Sequence, residues 1–215
     1  MYDVIVLGAT FAAAGIAGLC KEKCLVIERR AQAGYEYFGA LDFSVDETEI
    51  YSYFKSNNIL FCTEIVSVQK NDNVFECVTH GAQGFCTYYA KKVIDTRSNA
   101  KMSLSKTFNL LIDSKEEPFF SRCYWKKAKE KNRYIVYCPV PLSYGYAQAR
   151  ASAQDIIKQF SKTQRVILSA HEFDYHIKED FPKTQNGILY LPSKLYKNPQ
   201  LAFEAGLKIG KEAGK

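Results

Sequence analysis

The first thirty residues carry the pattern that most constrains the fold. A nearly all-apolar run at residues 3–7 is followed by Gly8, a stretch of small residues, a second apolar run at residues 25–27 and Glu28. An apolar run without polar alternation is typical of a parallel strand buried on both faces, and a glycine after it permits a sharp turn. The pattern predicts a strand, a turn, a thin helix and a second strand that ends in a carboxylate.

The same order of parts occurs in units that bind the ADP half of a dinucleotide. There the helix N-terminus offers N–H groups and a partial positive charge to a pyrophosphate. Glu28 lies twenty residues after Gly8, a spacing that suits a carboxylate accepting hydrogen bonds from a ribose diol. The sequence therefore indicates a dinucleotide site, and a βαβ unit that binds nothing is the alternative.

The glycine motif departs from its usual form, G-x-G-x-x-G/A, at the second glycine. That glycine lets the backbone approach the pyrophosphate, and Thr10 stands in its place. A threonine side chain fills this space, although its hydroxyl can donate to a phosphate oxygen. The candidate pyrophosphate-binding segment is Gly8-Ala9-Thr10-Phe11-Ala12-Ala13.

Composition and charge exclude several classes of protein. The chain has 215 residues, of which 47% are hydrophobic and 24% charged, as in an ordinary globular protein. The net charge of +6 favours anionic ligands but does not by itself indicate nucleic acid. The basic run at residues 126–133 is interrupted by Glu130 and matches no recognition motif, so we interpret it as a solvated face. No nucleic-acid partner is expected.

Cysteine usage and hydropathy predict where the chain resides. The seven cysteines are odd in number, form no CxxC and lie mostly in apolar runs, which is typical of a reducing, cytoplasmic location. The uncharged stretch at residues 4–19 is shorter than the roughly 20 residues of a spanning helix, and Asp3 stands where a signal peptide would be basic. We expect no membrane segment. The three histidines match no metal-binding spacing, so no metal site is predicted.

Apolar periodicity and turn residues divide the rest of the chain. Helices are predicted at residues 46–55, 147–160 and 198–213. An antiparallel meander is predicted from strands at residues 59–68, 74–80 and 85–89, followed by a return strand at 91–96. Further strands are predicted at residues 107–113, 134–140, 165–170 and 188–191, whereas residues 114–133 show no clear pattern.

The order of these segments resembles the FAD-dependent oxidoreductases of the glutathione-reductase-like superfamily. The matching pieces are residues 3–15, the Val26-Ile27-Glu28-Arg29-Arg30 run, residues 63–68 and the Val93-Ile94-Asp95-Thr96 strand. Two pieces depart from the family pattern: Thr96-Arg97-Ser98 stands where the family has A-T-G, and its C-terminal G-D signature is absent.

The resemblance implies a role for each matching residue. The segment from Gly8 to Ala13 would hold the pyrophosphate, and Glu28 would hold the adenosine ribose. Arg29 would lie near the adenine, whose edge would pair with the backbone around Ile65. Thr96 would lie close to the pyrophosphate. The resemblance implies FAD as the cofactor and indicates no particular catalytic residue.

These observations together predict an α/β fold: a Rossmann-like FAD/NAD(P)-binding domain with a parallel sheet, a β-meander and a small additional α+β region. Residues 1–105 and 185–215 would form this domain, and residues 106–184 a small inserted substrate- or cap-like region. The expected function is an FAD-binding oxidoreductase acting on a small-molecule substrate. The alternative is a degenerate, non-catalytic binding or scaffold protein that has lost the flavin. A homo-oligomer and a partner subunit are both open.

Overall fold

The computed structural model describes residues 1–42, 47–55, 57–160 and 162–213. Its strands are β1 Tyr2–Leu7, β2 Cys24–Ile27, β3 Ile59–Leu60, β4 Glu64–Asn71, β5 Val74–Gly81, β6 Gly84–Asp95, β7 Ser103–Ser114, β8 Tyr124–Lys127, β9 Arg133–Val140, β10 Gln164–Ser169, β11 Asp174–Ile177, β12 Lys183–Gln185 and β13 Ile188–Tyr190. Its α-helices are α1 Phe11–Cys20, α2 Tyr35–Phe38, α3 Glu47–Phe54, α4 Tyr146–Ile157 and α5 Pro199–Ala213.

The chain divides into two compact units. Unit 1 consists of Met1–Tyr35, Ser44–Ser98 and Glu179–Lys215, and unit 2 of Glu36–Phe43 and Asn99–Lys178. Unit 1 therefore contains both ends of the chain and the glycine motif. No helix among the described residues is long and apolar enough to cross a membrane.

A mixed sheet forms the centre of unit 1, with the strand order β12-β13-β6-β1-β2-β3. In this order β13, β6, β1, β2 and β3 all run parallel to one another, whereas the edge strand β12 is antiparallel to β13. The predicted parallel sheet is confirmed, and its strands β1, β2, β6 and β13 contain the segments predicted around residues 3–7, 25–27, 91–96 and 188–191. Its strands are apolar because both faces are covered: Val4, Ile5 and Val6 are completely buried.

The predicted meander is present, but two of its boundaries were wrong. Strand β6 pairs with β5 through residues 84–90 and with β1 through residues 90–95, so the two strands predicted at 85–89 and 91–96 are one. The strand predicted at residues 59–68 is divided: β3 joins β2 in the parallel sheet, and β4 pairs with β5. Cys62 between them has a φ of 52°, a left-handed conformation that interrupts a strand.

Helix α1 is built of small residues because α5 crosses it closely. A Cβ added to Gly206 of α5 would lie 2.0 Å from the Ala12 carbonyl oxygen. A Cβ added to Gly15 of α1 would lie 2.2 Å from the Phe203 carbonyl oxygen. Both backbones therefore approach more closely than any side chain would permit. The sequence predicted a thin helix of small residues, and the structure shows α5 as the partner that they pack against.

Unit 2 is an antiparallel sheet with the order β10-β7-β9-β8, and β11 pairs with the other part of β7. Helix α4 packs on it, and Phe108, Ile112 and Val136 lie in the core. The strands predicted at 107–113, 134–140 and 165–170 are present, with boundaries shifted by a few residues. Strands β8 and β11 were missed, since β8 lies in the unassigned segment 114–133 and no strand was predicted at residues 174–177. The predicted helix at 46–55 is present as α3, but residue 46 lies outside the described part of the chain.

Cysteine burial leads to a prediction about thiol reactivity. Burial raises the pKa of the Cys24 thiol to about 12 and that of Cys77 to about 11, whereas Cys62 is exposed. Since the thiolate is the reactive form, an alkylating reagent at mildly alkaline pH should label Cys62 and leave Cys24 and Cys77 unmodified. Peptide mass spectrometry of the folded protein tests this, and equal labelling of Cys24 and Cys62 would contradict it.

Candidate functional site

Three strand ends meet at one edge of the unit 1 sheet. Leu7, the last residue of β1, is in register with Ile27 at the end of β2 and with Asp95 at the end of β6. Because these strands are parallel, the residues that follow them lie side by side. The strand that follows β1 in the chain, β2, lies on one side of it, whereas β6 lies on the other side and is followed by β13 still further out. Open α/β sheets bind ligands where the strand order reverses in this way.

Gly8 makes the turn that leaves β1. Its φ of 92° lies in the left-handed region that favours glycine, and its N–H donates to the Ile27 carbonyl oxygen at 2.8 Å. The Ala9 carbonyl oxygen accepts the N–H of Gly34, also at 2.8 Å. The turn predicted at Gly8 is therefore held from both sides, and it leads directly into α1.

Thr10 is the N-cap of α1. Its backbone is extended, and its Oγ1 accepts the N–H of Ala13 at 3.2 Å. The threonine at the second glycine position thus satisfies one of the N–H groups that a helix leaves unpaired at its start. Its hydroxyl proton is still available as a donor because the bond to Ala13 uses only an oxygen lone pair.

The capping role gives a stability prediction for Thr10. Replacing Thr10 with alanine removes the acceptor for the Ala13 N–H and should lower the free energy of unfolding by about 1 kcal/mol. Thr10→Ser keeps the hydroxyl and serves as the control, with stability close to that of the parent. Urea unfolding followed by circular dichroism measures both variants. Equal losses in the two variants would contradict the capping role.

Glu28 is anchored by the backbone at the end of β2. The N–H of Ala9 donates to its Oε2 and the N–H of Arg30 to its Oε1, both at 2.8 Å. The residue is 9% exposed, so the carboxylate is nearly covered. Each carboxylate oxygen has two lone pairs, and each accepts one of these backbone bonds. The carboxylate is therefore fixed beside the glycine turn and keeps acceptor capacity for a ligand.

Asp95 and Arg97 form an ion pair at the end of β6. The Asp95 carboxylate accepts the Arg97 Nε–H at 2.9 Å, an Nη2–H at 2.8 Å and the backbone N–H at 3.1 Å. Burial disfavours the charged guanidinium, but hydrogen bonding and attraction from Asp95, with a contribution from Glu28, outweigh it and raise the pKa of Arg97. Arg97 therefore stays charged. The sequence indicated only that a glycine was missing here, and the ion pair was not predicted.

The structure brings most of the predicted site residues together. Thr96 is fully buried, and its hydroxyl donates to the carbonyl oxygens of Leu7 and Gly8 at 3.0 and 3.1 Å. It thereby fixes the glycine turn. The Thr63 N–H donates to the Glu28 carbonyl oxygen at 2.9 Å, which brings the start of β4, where Ile65 lies, to the end of β2.

The remaining predicted residues differ in exposure. Arg29 is exposed at the end of β2, whereas Ala12 and Ala13 are completely buried in α1. The Phe11 ring is also buried and makes edge contacts with the Tyr53 and Phe54 rings. The side chains of this helix turn thus serve packing, and any ligand contact there would come from the backbone.

A cleft lies close to these residues in unit 1. It has a volume of about 330 Å³ and is lined by residues after β2, by α3 and by the start of the β3–β4 connection: Ala31, Gln32, Ala33, Ile50, Tyr51, Phe54, Lys55, Asn57, Ile59 and Phe61. Its lining is largely apolar, as in sites for flat organic ligands. Among the residues the structure describes, no three His, Cys, Asp or Glu side chains cluster as a metal site would require.

Comparison with known proteins places the fold in one structural class. No protein-family model and no curated protein matches the sequence. Solved structures do match: p-nitrophenol 4-monooxygenase from Pseudomonas putida has a TM-score of 0.61 at 12% identity, over 100% of this chain and 81% of that one. Anhydrotetracycline hydroxylase from Streptomyces rimosus has a TM-score of 0.64 at 11% identity, over 99% and 62%.

A third match is a structure of aklavinone-11 hydroxylase in complex with FAD and aklavinone, with a TM-score of 0.58 at 11% identity. It covers 99% of this chain and 62% of that one, so this chain spans less than two thirds of the two hydroxylases. The fold is the one shared by these flavoprotein hydroxylases and monooxygenases. The predicted fold class is confirmed, and at this identity the likeness establishes the fold alone.

Proposed function

We propose that this chain is an FAD-binding flavoprotein of the oxidoreductase type, in which the flavin carries redox chemistry on a small-molecule substrate. The observation that carries the proposal is the convergence of the Gly8 turn, the Glu28 carboxylate and the charged Arg97 at three adjacent strand ends. The fold supports it, since one structure of the same fold contains FAD.

The donors and acceptors at this edge fit the two polar parts of a dinucleotide. A ribose diol needs an acceptor, and Glu28 retains lone pairs beyond its two backbone bonds. A diphosphate needs donors, which the Thr10 hydroxyl and the Arg97 guanidinium offer, beside the partial positive charge at the start of α1. The flavin, when bound, supplies the redox chemistry itself, so the proposal requires no catalytic triad from the protein.

The other predicted roles belong to the same proposal. Arg29 and the backbone at Ile65 would flank the adenine, for which the neighbouring cleft of about 330 Å³ offers an apolar surface. Thr96 would act near the pyrophosphate by fixing the Gly8 carbonyl oxygen. Residues 1–105 and 185–215 would form the cofactor domain, and residues 106–184 a substrate- or cap-like region. The cysteine usage supports a cytoplasmic location.

The alternative is a non-catalytic protein of the same fold that has lost the flavin. The observation that favours it is the packing around Gly8: a Cβ added there would lie 2.5 Å from Arg97 Cγ, so this chain's own side chain covers the turn. The Ala9 and Ala13 N–H groups are also already bonded to Glu28 and Thr10. Such a protein would act as a binding module, alone, as a homo-oligomer or with a partner subunit.

The visible absorption spectrum separates the two functions. The purified protein is incubated with excess FAD, passed through a desalting column and scanned across the flavin bands. The proposal predicts a yellow protein that retains about one flavin per chain, as expected for a single switch-point site. A colourless protein after this treatment would support the non-catalytic alternative.

A further inference from the structure

We propose that Arg97 is the anchor for the diphosphate of the bound dinucleotide and that Asp95 holds it in position. This inference rests on the proposed function, because it assigns a residue to the same site. It gives a binding role to a residue of the Thr96-Arg97-Ser98 segment, which departs from the A-T-G pattern of the family that the sequence resembles.

The Arg97 side chain lies directly over the glycine turn. Its Cγ would be 2.5 Å and its Cδ 3.5 Å from a Cβ added to Gly8, and the Thr10 methyl would be 3.5 Å from the same point. Gly8 is therefore needed for a second reason besides its positive φ, since only a residue without a side chain leaves room for the arginine stem. The arginine stem therefore packs against the turn that leads into α1.

The hydrogen bonds of Arg97 leave part of its guanidinium available. The group has five N–H donors in a planar fork. Asp95 accepts one from Nε and one from Nη2, which leaves three, two of them on Nη1. In the part of the chain that the structure describes, Asp95 accepts the hydrogen bonds of this side chain. The side chain is 42% exposed, so a ligand can reach the unused edge.

Asp95 makes the fork rigid. Asp95 is 5% exposed, and its carboxylate accepts three hydrogen bonds from Arg97, one of them from the backbone N–H. An arginine held in this way loses little conformational entropy when it binds a second anion, and its planar donors match two phosphate oxygens. A lysine in the same place would offer a point charge without the second, oriented donor.

The charges at this edge keep Arg97 in its charged form. The start of α1 carries a partial positive charge, and a guanidinium beside it is unfavourable unless negative charge balances both. The Asp95 and Glu28 carboxylates supply that negative charge, since both raise the pKa of Arg97. A diphosphate would therefore meet a charged fork and a helix N-terminus at the same edge.

Calorimetric titration of the full chain tests the assignment. The probes are FAD and ADP, which carry a diphosphate, and adenosine, which does not. Arg97→Gln should weaken the binding of FAD and ADP at least tenfold and leave adenosine binding unchanged, whereas Arg97→Lys should give an intermediate loss. Arg165→Gln, which breaks an exposed ion pair with Asp113 in unit 2, is the matched control and should bind like the parent.

A second variant separates binding from folding. Arg97→Gln alone leaves the buried Asp95 carboxylate unpaired, so Asp95→Asn/Arg97→Gln, which removes both charges, is measured beside it with a thermal unfolding curve for each protein. The folded double variant should show the same loss of FAD and ADP binding. Parent-like affinity in this variant would overturn the inference alone, as would tighter binding in Arg97→Gly. A parent that binds neither FAD nor ADP would overturn the proposed function as well.

Discussion

Gly206→Ala is expected to lower the free energy of unfolding by about 3 kcal/mol, the upper part of the range for overpacked sites. The added Cβ would lie 2.0 Å from the Ala12 carbonyl oxygen and 2.9 Å from its carbonyl carbon. Both atoms belong to the backbone of α1, so the clash cannot be relieved by a side-chain rotation. Helices α1 and α5 would have to move apart, which would disturb the helix that begins at the glycine turn.

Gly18→Ala is the matched control for this prediction. Gly18 is an exposed glycine in α1, and a Cβ added there would meet nothing within 4 Å. Alanine is the better helix former, so this variant should gain about 0.5–1 kcal/mol. Urea unfolding of the two variants and the parent measures the difference. If Gly206→Ala were as stable as Gly18→Ala, the close crossing of the two helices would be wrong.

Glu28→Ala is expected to weaken FAD binding by about ten- to a hundredfold, because hydrogen bonds to a charged group are worth about 1.5–3 kcal/mol. Removing the carboxylate leaves the ribose hydroxyls without their acceptor. The same change removes the acceptors of the Ala9 and Arg30 N–H groups, so the free energy of unfolding should also fall, by about 1–3 kcal/mol.

Two further variants separate these effects of Glu28. Glu28→Gln retains one acceptor oxygen without the charge and should show a smaller loss of FAD affinity. Glu22→Ala removes an exposed carboxylate shortly before β2 and should change neither property. FAD affinity is measured by calorimetry and stability by urea unfolding. FAD affinity that is the same in the parent and in a folded Glu28→Ala protein would remove Glu28 from the ribose site.

The parts of the fold that the sequence predicted correctly are those set by local chemistry. The turn at Gly8 needs a residue without a side chain, and the strand that ends before Glu28 is a short apolar run bounded by polar residues. Both signals lie within a few residues of the structure that they specify. The parallel pairing of β1 with β2 followed from the same local pattern, because a strand-helix-strand unit has one favoured handedness.

The parts that the sequence missed depend on partners far along the chain. Strand β8 has only four residues, most of them exposed, and it is a strand because it pairs with β9. The division of residues 59–68 arises where the Thr63 N–H bonds to the Glu28 carbonyl oxygen, a contact across 35 positions of sequence that no local pattern encodes. Neither feature could be found from periodicity.

The candidate site shows the same division between local and long-range signals. The roles of Gly8 and Glu28 could be proposed from their spacing alone. Thr10 could be recognised as a departure from the motif, but its capping bond to Ala13 depends on the backbone conformation at the helix start. The pairing of Asp95 with Arg97 depends on the way the chain leaves β6, where Arg97 turns back across Gly8.

A crystal structure of the protein grown with FAD would test the central claim most directly. The account predicts the adenosine ribose within hydrogen-bond distance of the Glu28 carboxylate and the diphosphate beside the Gly8 turn, bonded to the Nη1 edge of the Arg97 guanidinium. A flavin bound away from these residues, or crystals grown with FAD in which no flavin is bound, would contradict it.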